Sequence, residues 1–203
     1  MLKVIIIMLI SYLFGSISWA LVIGKVFYHK DIRQYGSGNL GATNAGRVLG
    51  KPAGAIVTLL DVSKAVMAML VAWLIYPPAI PFAGLACCLG HCFPVFANFK
   101  GGKAVATTFG YFLGLAIFVN HSWFWQFFFP VIVFFAVLYA CRMVSVSSMT
   151  SVGAEVLASA IFVHNPIHIT ICLLCLWLFI VYRHRENIQR IKAGTESKIK
   201  WMG

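Results

Sequence analysis

Seven apolar stretches, divided by short polar turns, leave this chain few ways to fold. They run over about residues 4–23, 53–76, 82–96, 104–119, 123–140, 149–163 and 167–182. A helix of about 20 apolar residues crosses a bilayer's hydrocarbon core, and only helices or closed barrels satisfy their backbone there. The runs at 104–119 and 149–163 are short for spans. Composition points the same way, because 61% of the 203 residues are hydrophobic and only 10% are charged. That balance excludes a water-soluble domain. The expectation is an all-α integral membrane protein with seven transmembrane helices, forming one transmembrane domain over residues 1–203. The N-terminal run has one basic residue before it, Lys3, and no clear small-residue cleavage site, so it reads as a retained first span.

Charge orders these spans. The formal net charge of +11 comes from 16 basic and 5 acidic residues. The turns after spans one, three, five and seven carry Lys25, Lys30, Arg33, Arg47 and Lys51, then Lys100 and Lys103, then Arg142, then Arg183, Arg185 and the basic tail. The turns after spans two, four and six carry no Lys or Arg. Basic loops stay cytoplasmic, so the N-terminus is expected outside (periplasmic or extracellular) and the C-terminus in the cytoplasm. The same distribution argues against nucleic acid, which needs basic residues gathered on a soluble face.

The alternation puts every polar motif on one side. The first is Gly36-Ser-Gly-Asn-Leu-Gly-Ala-Thr-Asn-Ala-Gly-Arg47. Its glycines permit close approach and positive-φ turns that gather N–H groups around an anion, and Arg47 adds a planar fork for two phosphate oxygens. The stretch formally matches a dinucleotide fingerprint at Gly36, Gly38 and Gly41, but that motif needs a strand before it, and here an apolar span and a charged loop precede it. The other motifs are Gly90–Lys103, Arg142–Ser148 and Arg183–Asn187. Together the four offer Ser37, Arg47, Lys103, Ser145, His184 and Asn187 as reactive or anion-holding groups. Gly36, Gly38, Asn39, Asn44, Gly101, Gly102 and His91 surround them as substrate-binding candidates. Topology alone explains the lysines and arginines, but not the glycines, Ser37, Asn39 or Asn44. Such a cation-rich, donor-rich set suits phosphates.

Other residues admit plainer readings. Asp61 and Lys64, three apart in the second run, share a helix face and can pair, and a mid-span charge must face protein or a polar cavity. His91 is either packed and hydrogen-bonded near the membrane edge or part of the site. The six cysteines lie mostly in apolar runs, and the Cys172/Cys175 pair has no second pair to complete a metal site. No HExxH, carboxylate cluster or GxSxG occurs, and no histidine has Asp five positions on. No metal or cofactor is expected. A basic cavity between spans would also suit an organic-anion transporter, though transporters commonly show repeated halves and a midplane site.

The segments Gly36–Arg47, Gly90–Thr107 and Arg183–Ile188, in this order, resemble the three motifs of the bacterial acyl-phosphate-dependent glycerol-3-phosphate acyltransferases. The resemblance extends from Phe14-Gly-Ser16 to Arg190. The aromatic-rich stretch Asn120–Phe129 matches nothing in that pattern, and the site serine is ambiguous among Ser145, Ser147 and Ser148. The resemblance implies an inner-membrane enzyme with its active site facing the cytoplasm. It would move an acyl group from acyl phosphate to the 1-hydroxyl of glycerol 3-phosphate, the first step of phospholipid synthesis. Acyl phosphate is already activated, so the implied task is to align two anions and screen their repulsion. Ser37, Lys103 and the glycine N–H groups would hold the acyl phosphate. Arg47, His184 and Asn187 would hold or orient glycerol 3-phosphate, with Ser145 between. No dedicated protein base is then required.

Overall fold

Apolar side chains that cannot find a core in water can find lipid, and this chain turns them outward. In the computed structural model, which describes residues 1–199, Leu9, Ile10 and Leu13 of the first helix and Leu59, Trp73 and Leu74 of the second long one are exposed. Asp61, Lys64, Gln126 and Glu155 are buried. This inverts the order of a soluble protein.

The described residues are helical: α1 (Leu2–Gly15), α2 (Trp19–Tyr28), α3 (Ala42–Leu49), α4 (Lys51–Ile75), α5 (Ile80–Cys92), α6 (Val105–Leu115), α7 (Phe129–Cys141), α8 (Val144–Ala158), α9 (Ile167–Arg183) and α10 (Arg185–Lys192). Five helical stretches are long and apolar enough to cross a membrane: Leu2–Tyr28, Lys51–Ile75, Pro77–Ala97, Phe124–Cys141 and Val144–Val163. A sixth is the pair α9 and α10, bent by 54°, and Val105–Asn120 is a shorter apolar helix. The seven expected runs are thus all helical, but five or six have the length of a span. The first is not continuous. It breaks at Ser16–Ser18, where Ser16 Oγ turns back to donate to Tyr12 O at 2.8 Å.

The helices fall into two compact units, residues 1–119 and 120–203. In the first, α1 packs on α5, and α4 packs on α3, α5 and α6. Small residues let these backbones meet. A Cβ on Gly15 would collide with the Cys87 backbone, and one on Gly90 with the Tyr12 carbonyl. Tyr12 Oη closes the same crossing by donating to Phe93 O at 2.6 Å. Beneath the loop before α3, Ala20, Ile32, Leu40, Ala45, Ala53 and Val57 form a buried apolar cluster.

In the second unit, α8 packs between α7 and α9. The aromatic stretch that matched no motif has a clear structural use here. Gln126 is fully buried, and its Nε2 donates to Glu155 Oε1 at 2.5 Å. Its Oε1 accepts from Asn120 and Asn165 at 2.7 and 2.8 Å. Trp125 stacks on Phe162 with ring centroids 4.1 Å apart. A buried polar knot in an apolar setting holds best when its groups find partners, and side-chain amides supply them here except at Glu155 Oε2, which is buried without one.

Candidate functional site

Each unit carries its own group of the residues singled out by sequence. In unit one, the loop ahead of α3 is built around a single side chain. Asn44, on the first turn of α3, is buried. Its Oδ1 accepts from Ser37 N at 2.9 Å, and its Nδ2 is shared among the carbonyls of Ile32, Tyr35 and Asn39 at 3.0–3.3 Å. Asn39 makes a local turn, its Oδ1 accepting from Gly41 N at 2.9 Å. Gly36 and Gly38 take φ of +61° and +66°, the left-handed region that disfavours any other residue. A Cβ at Gly36 would also strike the Asn44 amide oxygen. The loop is held by these bonds, with Ser37 exposed on it, and Arg47 is exposed on the last turn of the helix α3 that follows.

The main-chain N–H groups play a different part from the anion donors expected of them. Gly38 N donates to Tyr35 O, Gly101 N to Cys92 O and Gly102 N to His91 O, at 3.0–3.2 Å. With Gly41 N on Asn39, these four N–H groups are used to shape the turns. Side chains are then the groups aimed outward. The neighbouring Arg33 is occupied as well. Its guanidinium clasps Asp31 at 2.5 and 2.9 Å, and these hydrogen bonds hold the Asp31 carboxyl down at about 2.

His91 lies at the end of α5, buried, with Nδ1 2.9 Å from Lys64 Nζ. Lys64 Nζ is also 2.8 Å from Asp61 Oδ1. The pairing expected from their spacing is present, and it takes in His91. Lys103 follows the Gly101–Gly102 turn and is half-buried. At the break in the first span, a mostly apolar cleft of about 230 Å³ is lined by Ser16, Ile17, Ser18, Leu21, Val22, Phe96 and Ala97.

In unit two, geometry separates the three serines. Ser147 and Ser148 donate back to their own helix, to Met143 O at 2.9 Å and Val144 O at 2.7 Å. Ser145 Oγ leaves its helix and donates to Glu196 Oε1 at 2.6 Å. Asn187 Nδ2 donates to the same oxygen at 2.6 Å, and Arg190 Nε donates to Glu196 Oε2 at 2.8 Å. Partial burial would raise the Glu196 carboxyl, but these donors together hold it below the ordinary glutamate range. The tail that carries Glu196 is tied down by Ile199 N donating to Arg142 O at 2.9 Å. Sequence reading passed over Glu196. Its one available signal was an acidic residue in a strongly basic tail. His184 is buried, with Nδ1 2.8 Å from Ile180 O. A carbonyl only accepts, so Nδ1 carries a proton.

Among the described residues, no three His, Cys, Asp or Glu side chains gather as metal ligands would. The donor sets in both units are hydroxyl, amide, imidazole and cationic groups. That chemistry suits oxyanions, with charge-assisted bonds from Arg47 and Lys103 and neutral ones from Ser37, Ser145 and Asn187.

Comparison with known proteins agrees. The family model described as glycerol-3-phosphate acyltransferase matches residues 5–194. The glycerol-3-phosphate acyltransferase of Enterococcus faecalis is 44% identical over 98% of this chain and 93% of its own length. That of Bacillus velezensis is also 44% identical, over 95% of this chain and 96% of its own. The crystal structure of PlsY (YgiH), an integral membrane glycerol 3-phosphate acyltransferase in its glycerol 3-phosphate form, superposes with a TM-score of 0.87 at 35% identity. It covers 97% of this chain and 96% of that one. The lysophosphatidic acid form of PlsY superposes with a TM-score of 0.84 at 34% identity. With a matching family model across nearly its whole length and close relatives that share that length, this chain belongs to the glycerol-3-phosphate acyltransferase family.

Proposed function

We propose that this membrane enzyme transfers a fatty acyl group from acyl phosphate to the 1-hydroxyl of sn-glycerol 3-phosphate. The products are 1-acyl-sn-glycerol 3-phosphate and inorganic phosphate. Acceptor and product are supported by the solved relatives, one in a glycerol 3-phosphate form and one in a lysophosphatidic acid form. The observation that carries the reading for this chain is the internally bonded glycine loop with Ser37 exposed on it and Arg47 exposed on the helix that follows, on an otherwise apolar helical body. An acyl phosphate has the same two-part character, a dianionic head on an apolar chain.

In the reaction, the acceptor oxygen forms a bond to the acyl carbon. The carbon–oxygen bond to phosphate breaks, and the leaving phosphate takes the electron pair. The hydroxyl proton passes to the phosphate of the acceptor, so no protein base is needed. Ser37 and Lys103 bind the phosphate of the donor, within turns shaped by Gly36, Gly38, Asn39, Asn44, Gly101 and Gly102. Arg47, His184 and Asn187 bind or orient glycerol 3-phosphate, and Ser145 assists them. The cleft at Ile17, Leu21 and Phe96 accommodates part of the acyl chain. Arginine and lysine supply the positive charge that a metal would otherwise provide, and chelators leave turnover intact. The enzyme works in the bacterial inner membrane with its site toward the cytoplasm, on a topology of seven spans within a single domain. The alternating charge of the turns supports this reading.

Purified enzyme, acyl phosphate and radiolabelled glycerol 3-phosphate provide the test. Arg47→Ala and Lys103→Ala are each expected to lower kcat/KM by about a hundredfold or more. Wild-type turnover in both would overturn the phosphate-binding assignment. Uptake of label into vesicles without product lipid would point to a transporter. For His184→Gln, a loss confined to one limb of the pH profile would restore a histidine base and overturn substrate-assisted proton transfer.

A further inference from the structure

A buried lysine in an apolar helix costs too much to be incidental, and Lys64 is only 2% exposed. Its ammonium lies 2.8 Å from Asp61 Oδ1, 2.9 Å from His91 Nδ1 and 3.1 Å from Ile17 O, and His91 Nδ1 is itself 3.4 Å from Asp61 Oδ1. The Ile17 carbonyl belongs to the break between α1 and α2. Asp61 and His91 are 1% and 6% exposed.

The charge balance of the cluster bears on the state of the histidine. One carboxylate, one ammonium and a neutral imidazole leave the cluster without net charge, whereas a protonated His91 would leave an extra buried cation there. Of the two groups facing Nδ1, Lys64 Nζ at 2.9 Å is nearer than Asp61 Oδ1 at 3.4 Å, so we read Lys64 as the donor there and the ring proton as lying on Nε2. That nitrogen lies against Gly102, where a Cβ would collide with it and would stand 2.9–3.0 Å from Cδ2 and Cε1. The main chain repeats the contact, through Gly102 N on His91 O at 3.1 Å and Gly101 N on Cys92 O at 3.2 Å. The next residue is Lys103.

We propose that Asp61, Lys64 and His91 form a neutral buried clamp that holds His91 as its Nε2–H tautomer and thereby sets the Gly101–Gly102 turn that places Lys103 for phosphate binding. The three are positioning residues, and the proposal rests on the reading of Lys103 as a phosphate ligand. Stability alone does not account for the pair, because replacing a buried ion pair with packed apolar side chains is often neutral or stabilising. Insertion into the membrane would favour that replacement further.

The test is the double variant Asp61→Leu/Lys64→Met, purified in detergent and compared with wild type by thermal melting, steady-state kinetics and ¹⁵N-histidine NMR. The expected result is a folded protein whose KM for acyl phosphate rises about tenfold or more while kcat changes less, the pattern of lost ground-state binding. His91 is expected as the Nε2–H tautomer in wild type and as a mixture in the double variant. A folded double variant with wild-type KM would overturn the proposal. Should the double variant not fold, His91→Asn decides. It keeps an acceptor for Lys64 but removes the ring beside Gly102, and an unchanged KM there would overturn the clamp. The NMR arm needs no substrate. Mixed tautomers in wild type would defeat the clamp, whereas a pure Nε2–H signal in an enzyme that ignores acyl phosphate would defeat only the assigned reaction.

Discussion

Three closely spaced serines that read alike in sequence differ in what their hydroxyls do. Ser147 and Ser148 bond back to their own helix, while Ser145 reaches Glu196. A carboxylate that takes hydrogen bonds from Ser145, Asn187 and Arg190 organises all three, and charge-assisted bonds are the stronger kind. Glu196→Gln keeps the shape and removes the charge, and is expected to cost about 1–3 kcal/mol, read as a lower melting temperature in detergent. The sign of its pH dependence follows from the direction of the shift. The carboxyl is held below its ordinary value of 4.5, so its contribution is complete above that pH and is lost as pH falls through the lowered folded value. The gap between wild type and Glu196→Gln should therefore be full at neutral pH and close in acid. A gap that widened in acid would mean that the carboxyl is protonated in the folded protein.

Helices meet here through glycine, and each crossing can be tested asymmetrically. Gly46 of α3 and Gly54 of α4 face each other. A Cβ on Gly46 would meet the Gly54 α-carbon at 3.6 Å, ordinary contact, whereas one on Gly54 would meet the Gly46 α-carbon at 2.7 Å. Gly54→Ala should then cost about 1–3 kcal/mol, because helix α3 must shift. Gly46→Ala should be nearly neutral, or slightly stabilising through helix propensity, by up to about 1 kcal/mol. Equal effects in melting experiments would show that the crossing is not set by this contact. Sequence made the helical elements legible because continuous apolar runs of this length satisfy their backbone in a bilayer as helices. It did not show the break at Ser16–Ser18, since both sides are equally apolar and the partner that satisfies Ile17, Lys64, is distant in the chain. It did not show Gln126 as the centre of a polar knot either, because its partners Asn120, Glu155 and Asn165 are spread over 45 residues. Motif residues fared differently. Asn44 looked like a ligand because it lies in a glycine-rich loop, and the structure shows its amide bonded to the loop itself.

For the molecule as a whole, the strongest constraint is the parity of its crossings. Every turn that carries Lys or Arg alternates with one that carries none, and a membrane sorts such turns to opposite sides. The helix Val105–Asn120 is the weak point of that count, being shorter than a bilayer's usual need. A short helix can still cross by local thinning of the bilayer, at a cost of fractions of a kcal/mol per ångström. If it crosses, the basic turns at Lys100 and Arg142 face the same side. If it does not, one of them faces outward against its charge. In a background with the six native cysteines replaced, single cysteines at the turn residues Pro78, Ser122 and His164 should react with an impermeant thiol reagent on intact cells. Cysteines at Lys100 and Arg142 should react only after permeabilisation. Labelling of Arg142→Cys from outside would remove one crossing, break the alternation after residue 104, and withdraw the cytoplasmic placement of Ser145.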